Sequence, residues 1–127
     1  MIWIDTSFAV EWLRGTPRAS ETGFRRSARM QILPLQYAEV CAYFIRQRRK
    51  FSLAVLDPLE IVTVGVQELV AAADLYLRAR AAGSKASLAD AVLAATVRNR
   101  GGVLYAFDED FRHLGLQQES IGRWTPA

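Results

Sequence analysis

The sequence has very little cysteine and histidine, the residue types that build disulfides, zinc sites and many nucleophile–base pairs. Among its 127 residues, Cys41 is the only cysteine and His113 is the only histidine. One cysteine excludes an intramolecular disulfide and a cysteine-rich zinc site. We expect Cys41, which lies in an apolar helical stretch, to pack as a small hydrophobe. We expect His113 to be a surface or packing residue rather than a general base.

Long apolar runs and a strong charge imbalance are also missing. No stretch approaches the roughly 20 apolar residues of a membrane span, and the N-terminus enters a strand without the basic region and apolar run of a secretory signal. We therefore expect a cytoplasmic protein that has no membrane partner. A formal net charge of +3 is compatible with a polyanionic partner but does not require one.

Short apolar segments alternate with amphipathic helical patterns along the whole chain. Strands are predicted at residues 1–5, 31–35, 59–64, 103–107 and 120–124. Helices are predicted at residues 8–13, 18–29, 35–49, 67–82 and 87–100, with a further short helix that Ser52 caps. This alternation predicts a single α/β domain over residues 1–127. The expected architecture is a three-layer α/β/α sandwich around a central, mainly parallel sheet of four to five strands.

Acidic residues interrupt apolar segments at four places. Asp5 ends MIWID, Glu39 ends YAE, Asp90 ends SLAD, and Asp108 and Asp110 lie within FDEDF. A buried acid is costly unless it is paired or bound to a cation. In a parallel sheet, ligands bind outside the carboxyl ends of the strands, and Asp5 and Asp108 both follow a strand. The sequence therefore predicts that these acids converge on a hard divalent ion such as Mg²⁺, whose preferred ligands are oxygens.

For the first two of these acids, a purely structural role is the alternative. Asp5 could cap the helix that follows it, and so could Thr6 and Ser7, although their hydroxyls could equally hold the Asp5 carboxylate. Glu39 could be an early-helix acid that the helix dipole favours. Its apolar surroundings favour the functional interpretation instead.

The later acids have structural alternatives too. Asp90 lies three residues after Ser87, which is the spacing of a capping box with Asp in place of Glu. The acidic triplet at residues 108–110 could be a solvated turn. The apolar surround of Asp90 favours burial with a partner, and Asp108 is a better candidate than Asp110 because it is nearer the strand end.

In their order, these motifs resemble the PIN domain, and most closely the VapC-type toxin ribonucleases of prokaryotic toxin–antitoxin pairs. The resemblance rests on DTS after the opening strand, Glu39 in the third helix, Asp90 in an Ala-rich late helix, and VLYAFDEDF. It covers essentially the whole chain. One position departs from the pattern: Ala106 stands where the family usually has Thr or Ser.

The resemblance implies a Mg²⁺-dependent endoribonuclease, with Mn²⁺ as an alternative ion, that is neutralised by a cognate antitoxin and forms a homodimer. It implies Asp5, Glu39, Asp90 and Asp108 as catalytic residues, and these four together with Asp110 as metal ligands. Two alternatives remain at this point. The chain could be a catalytically silent binding module with the same fold, or a nuclease of RNA maturation outside any toxin–antitoxin pair.

The sequence also offers candidates for a partner surface. Basic residues group at Arg25, Arg26 and Arg29, at Arg46, Arg48, Arg49 and Lys50, and at Arg78, Arg80 and Lys85. For the second group, compensation of a helix dipole is the simpler explanation. Since the family binds its antitoxin in a groove between early helices, we expect Trp12 and Phe24 to be exposed members of such a groove.

Overall fold

The computed structural model describes residues 1–26, 29–50 and 52–127, without the side chain of Phe24. Six strands form one sheet: β1 (Ile2–Ile4), β2 (Met30–Ile32), β3 (Glu60–Ile61), β4 (Val103–Tyr105), β5 (Leu116–Ser120) and β6 (Arg123–Pro126). Their order is β3-β2-β1-β4-β6-β5. The first four strands in that order are parallel, and β6 is antiparallel to both β4 and β5. The predicted parallel core is confirmed.

Helices cover both faces of the sheet. In the described ranges they are α1 (Thr6–Leu13), α2 (Pro17–Arg26), α3 (Pro34–Arg46), α4 (Val66–Ala81) and α5 (Leu88–Arg100). Alternate residues of the strands point to opposite faces, so that Trp3 packs with α4 and α5 while Ile4 packs with α1 to α3. The three-layer α/β/α architecture predicted from the sequence is thus confirmed. No helix in the described part of the chain has the length and apolar character needed to span a membrane.

The C-terminal segment departs from the prediction of one strand at residues 120–124. Ile121 and Gly122 form a turn between β5 and β6, and the sheet therefore has six strands rather than four to five. Apolar periodicity could not reveal β5, because its sequence LQQES is mostly polar and half-exposed. This strand is stabilised by pairing with β6 rather than by burial of its own side chains.

The prediction that Trp12 is exposed is wrong. Its side chain is only 4% exposed and lies in the core beneath α2. Gly23 makes this packing feasible, since a Cβ atom at that position would lie 2.3 Å from Cε2 of the Trp12 indole. The Phe24 side chain, the other predicted member of the groove, lies outside the described residues.

A buried ion pair ties α4 to α5. The Glu68 carboxylate, in the first turn of α4, accepts hydrogen bonds from Arg100 Nε at 2.8 Å and Arg100 Nη2 at 2.7 Å. It also accepts from Asn99 Nδ2 at 3.1 Å and from the Gly65 amide at 2.9 Å. Every donor neutralises or solvates the buried charge, so the pKa of Glu68 falls to about 2, chiefly because of the Arg100 hydrogen bonds.

Candidate active site

Asp5 is held at the carboxyl end of β1 by the start of α1. Its Oδ1 accepts hydrogen bonds from the Phe8 amide at 3.0 Å and the Ser7 hydroxyl at 2.7 Å. The Ser7 Oγ in turn accepts from the Phe107 amide, 2.9 Å away beyond the end of β4. Asp5 therefore does cap a helix, as the structural alternative proposed, and Ser7 fixes its carboxylate to the neighbouring strand end.

Asp90 lies in the first turn of α5 and also has two roles. Its amide donates to the Ser87 Oγ at 3.1 Å, and the Asp90 Oδ2 accepts from the Ser87 amide at 3.3 Å. This is the predicted capping box. The carboxylate is nevertheless half-buried and faces other acids, so the capping role does not replace a role in the site.

The acidic segment after β4 folds into a short 3-10 helix, Glu109–His113. Phe111 is completely buried and anchors this helix to the core. Asp108 caps it, since its Oδ1 accepts from the Asp110 amide at 2.9 Å. The turn directs Asp108 and Asp110 inward, while Glu109 is exposed and pairs with Arg112.

Three of the predicted acids converge on one point. Asp90, Asp108 and Asp110 each offer a carboxylate oxygen, and these oxygens all lie within 4.8 Å of one another. Asp5 lies close enough to Asp90 and Asp108 for their charges to raise its pKa. Residues separated by more than 80 positions in the sequence therefore form one acidic cluster at the carboxyl edge of the sheet.

Glu39 lies at the margin of this cluster. It sits in the second turn of α3, where its side chain is exposed despite its apolar neighbours in sequence. The Thr6 hydroxyl donates to Glu39 Oε1 at 3.0 Å, and the negative charge of Glu39 reaches Asp90. Glu39 is thus oriented toward the cluster but is not among its three convergent carboxylates.

Burial and mutual repulsion make the cluster electrostatically strained. Asp5 is only 3% exposed, and burial raises its pKa to about 7, although Ser7 and Phe8 donate hydrogen bonds to it. Burial also raises the pKa values of Asp90 and Asp110, and the charge of Asp108 raises both further. No arginine or lysine within the described ranges forms an ion pair with these four aspartates.

The cluster fits a divalent cation by its chemistry. All of its groups are carboxylates, the ligands that Mg²⁺ and Mn²⁺ favour. Two oxygens bound to one Mg²⁺ ion are at most about 4.2 Å apart, given metal–oxygen bonds near 2.1 Å. Carboxylate oxygens within 4.8 Å need only small side-chain rotations to reach that separation. A cation would also supply the positive charge that the surrounding side chains do not.

The last acidic motif is supported although position 106 is Ala rather than the usual Thr or Ser. It is completely buried, and its carbonyl accepts a hydrogen bond from Trp124 Nε1 at 3.0 Å. The hydroxyl nearest this backbone is supplied by Ser7, which binds the amide of Phe107. The sequence identified Ser7 as a helix cap or carboxylate partner, but not as the link between the two strand ends.

The remaining polar candidates lie around the site or away from it. His113 is exposed, and its charge, like that of Lys85, partly offsets the acids around Asp110. Arg25 pairs with Glu21 and Arg78 pairs with Asp74 on helix surfaces. Cys41 is half-buried, in keeping with its expected packing role.

Comparisons with known proteins bear on the family and the fold of the chain. A family model described as PIN domain matches residues 2–116. No curated protein matches the chain. Solved structures of similar fold include the following two. One is VapC20 of Mycobacterium tuberculosis, a sarcin-ricin loop cleaving toxin, with 22% identity, a TM-score of 0.70, and coverage of 91% of this chain and 95% of that one. The other is a toxin–antitoxin complex from Klebsiella pneumoniae, with 18% identity, a TM-score of 0.62, and coverage of 87% and 90% respectively.

Proposed function

The chain belongs to the PIN domain family, and on that premise we propose that it is a metal-dependent endoribonuclease that acts as a toxin. The observation that carries this proposal is the convergence of Asp90, Asp108 and Asp110 beside the buried Asp5. A structural acid is normally paired with a cation of the protein, whereas these acids are grouped with one another. Such a group suits a site that binds a metal ion and then a phosphate.

Each acid has a distinct part in this proposal. Asp90, Asp108 and Asp110 hold Mg²⁺, or Mn²⁺ in its place, and Asp5 completes the negative charge around the ion. Glu39, oriented by Thr6, lies at the margin, where it can hold a coordinated water or a second ion. When bound, such ions lower the pKa of a coordinated water, neutralise charge on the scissile phosphate and stabilise the leaving oxygen.

The residues of the chain provide positioning rather than covalent chemistry. Ser7 keeps the Asp5 carboxylate directed at the strand edge and ties it to the end of β4. The capping box of Ser87 fixes Asp90 in the same way. A nucleophilic cysteine or histidine is not required, in keeping with the position of His113 at the periphery of the site.

Substrate and partners follow from the similar proteins. VapC20 is described as a toxin that cleaves the sarcin-ricin loop, an RNA element, and the Klebsiella structure as a toxin–antitoxin complex. We extend these properties to this chain as a proposal, with RNA as the substrate, a cognate antitoxin as the inhibitor, and the cytoplasm as the place of action. A homodimer is part of the same proposal.

The direct test is cleavage of a labelled structured RNA by the purified protein with Mg²⁺, with Mn²⁺ and with EDTA. We expect cutting that needs a metal ion and is lost in Asp5→Asn. Asp74→Asn is the matched control, because Asp74 is an exposed acid on α4 that pairs with Arg78 far from the cluster. Cleavage that survives EDTA or the Asp5→Asn change would contradict the proposed chemistry.

The toxin role needs a separate experiment. Expression of the chain should stop growth of a bacterial host, and co-expression of the product of a small adjacent reading frame should restore it. Unimpaired growth, together with metal-dependent cutting in vitro, would instead favour a nuclease of RNA maturation.

A further inference from the structure

A pocket on the α1–α3 face of the sheet is lined by Phe8, whose amide binds the Asp5 carboxylate, and by Phe107. It has a volume of about 250 Å³ and lies between α2, the end of β4 and the β5–β6 turn. Phe107, which forms its floor, directly precedes Asp108 of the cluster. The pocket is smaller than the roughly 300–1,000 Å³ of sites for drug-sized ligands. Its size and position suit one small flat group beside the site of cleavage.

The Phe107 ring, which lines this pocket, packs against three neighbouring groups. Phe8 stacks on one face, with ring centroids 5.7 Å apart and planes inclined by 25°. The Arg18 guanidinium also lies over the ring, with its Cζ 4.1 Å from the ring centroid. At the ring edge, a Cβ atom on Gly122 would lie 2.6 Å from Phe107 Cε1, so that only glycine fits there.

Arg18 therefore lies with its guanidinium over Phe107, and the residue is exposed to solvent. The Arg18 guanidinium itself forms no ion pair and no hydrogen bond with another residue in the ranges 1–26, 29–50 and 52–127. The second arginine of the pocket, Arg123, is already paired with Glu119 at 2.8 Å. Among the described residues that line the pocket, Arg18 is thus the one cation that no carboxylate neutralises.

The rim of the pocket adds polar and apolar groups. Ser120 offers a hydroxyl from the end of β5, and the Thr22 hydroxyl, which donates to the Arg18 carbonyl at 3.1 Å, keeps acceptor capacity. Ile121 at the tip of the turn is 82% exposed. A nucleotide presents a flat base, polar base edges and a ribose, and these match the guanidinium, the hydroxyls and the apolar tip.

We propose that this pocket is a subsite for one unpaired nucleotide next to the scissile phosphate, with the base stacked on the Arg18 guanidinium. The inference rests on the proposed ribonuclease function and adds to it a residue that determines position and specificity. Splayed bases of single-stranded RNA stack on arginine planes and aromatic rings in this way. A guanidinium that already lies over a ring loses little freedom when the base arrives, which strengthens binding.

The test is an NMR titration of isotopically labelled full-length protein in Mg²⁺ with AMP, GMP, CMP and UMP, which contain no phosphodiester bond to cut. We expect saturable shifts at Arg18 Nε–H and at the amides of Phe107 and Gly122 for at least one nucleotide. Inorganic phosphate at the same concentration should not reproduce them. Stacking on a side chain contributes roughly 5- to 150-fold to affinity, so Arg18→Ala should weaken binding about five-fold or more.

Two further variants separate stacking from charge. Arg18→Lys keeps the positive charge but lacks the flat face, and should weaken binding about as much as Arg18→Ala. Arg78→Ala, the control, removes an exposed arginine from α4 on the opposite face of the sheet and should change affinity less than about two-fold.

Three outcomes would overturn the proposal. If phosphate alone gives the same shifts, or if Arg18→Lys binds as tightly as the wild type, the pocket is a simple anion contact. If no nucleotide binds but an acidic peptide shifts the same resonances, the pocket serves a protein partner.

The titration is independent of cleavage, which separates this inference from the proposed function. In the RNA cleavage assay, Arg18→Ala should raise KM or alter sequence preference while kcat stays within about three-fold. A protein that cuts no RNA but binds nucleotides here would refute the nuclease and retain the subsite. Unchanged KM and unchanged sequence preference in Arg18→Ala would refute the subsite and retain the nuclease.

Discussion

Asp5 and Glu68 are equally buried carboxylates with opposite electrostatics. Asp5 is 3% exposed and Glu68 is 4% exposed. The pKa of Asp5 rises to about 7, mainly because of burial, whereas the pKa of Glu68 falls to about 2, mainly because of its hydrogen bonds with Arg100. Both receive hydrogen bonds from the backbone, so backbone donors are not the difference. What distinguishes the two carboxylates is the Arg100 guanidinium, which is paired with Glu68.

Under the proposed function, the comparison separates an acid that stabilises the fold from one that belongs to the metal site. Glu68 joins the start of α4 to the end of α5, and its charge is neutralised within the chain. Asp5 is buried, the charges of Asp90 and Asp108 raise its pKa further, and no arginine or lysine in the described ranges forms an ion pair with it. Strain of this kind is common where a binding site opposes the stability of the free protein.

The largest effect should come from neutralising a convergent carboxylate. Asp90→Asn keeps a side chain that can still cap α5 but removes one charge from the three-aspartate group. We expect RNA cleavage to fall by more than about 1,000-fold, because loss of groups that support a metal ligand only indirectly already costs 10- to 100-fold. Single-turnover cleavage rates at saturating Mg²⁺ measure this effect.

Glu68→Gln is the control for that experiment and should leave cleavage within about three-fold. A loss comparable to that of Asp90→Asn would mean that the two acids do not differ in role, and the comparison would fail.

The second effect is a loss of stability, which we expect on neutralising Glu68 but not on neutralising Asp5. Because the folded-state pKa lies about 2.5 units below the ordinary value of 4.5, Glu68→Gln should lower the free energy of unfolding by roughly 3 kcal/mol at pH 7. Urea unfolding at equilibrium measures it. Glu60→Gln, at an exposed acid on β3, is a suitable control that should change stability by less than about 0.5 kcal/mol.

The pH dependence of this stabilisation has a defined sign. A depressed pKa contributes stability above the unfolded value of 4.5, and the contribution is lost as the pH falls from 4.5 toward 2. The difference in stability between wild type and Glu68→Gln should therefore shrink across this window. A difference that stays constant from pH 6 to pH 3 would show that the ionised carboxylate is not its source.

A smaller change in the free energy of unfolding, of opposite sign, is expected when Asp5 is replaced by Asn. Asn retains the capping oxygen that the Phe8 amide needs but carries no buried charge. Because the folded-state pKa of Asp5 is raised, the folded protein binds more protons than the unfolded chain between pH 3.8 and 7. The stability of the metal-free protein therefore falls as the pH rises through this range.

Asp5→Asn should remove this loss and stabilise the metal-free protein at pH 8 by about 1–3 kcal/mol. Thermal unfolding in EDTA at pH 5 and pH 8 provides the measurement. A variant that is less stable than wild type at pH 8 would show that the carboxylate of Asp5 is satisfied by its own hydrogen bonds.

Local patterns predicted those parts of the fold and the site that depend on neighbours in sequence. The strand MIWID, the capping box of Ser87 and Asp90, and the acids that follow the parallel strands could be read from the chain. The capping and clustering interpretations of Asp90 were opposed in the sequence, yet the structure supports both, because the first turn of α5 faces the strand ends.

Features that depend on distant partners could not be predicted in this way. The burial of Trp12 requires the close approach of Gly23 from the next helix. The burial of Glu68 requires Arg100, 32 residues away. The contact between the Arg18 guanidinium and the Phe107 ring joins residues 89 positions apart, and nothing in the local sequence of either residue indicates this contact.

We propose that no arginine or lysine in the described ranges pairs with the acidic cluster because the cluster binds a divalent metal ion. Isothermal titration of the protein with Mn²⁺ and with Mg²⁺ at pH 7, in two buffers of different ionisation enthalpy, tests it most directly. We predict saturable binding that releases protons, since a bound cation lowers the pKa values of the neighbouring carboxyls. The binding should be lost in Asp90→Asn and kept in Glu68→Gln. Absence of binding to the wild type, or equal binding by Asp90→Asn, would contradict the account.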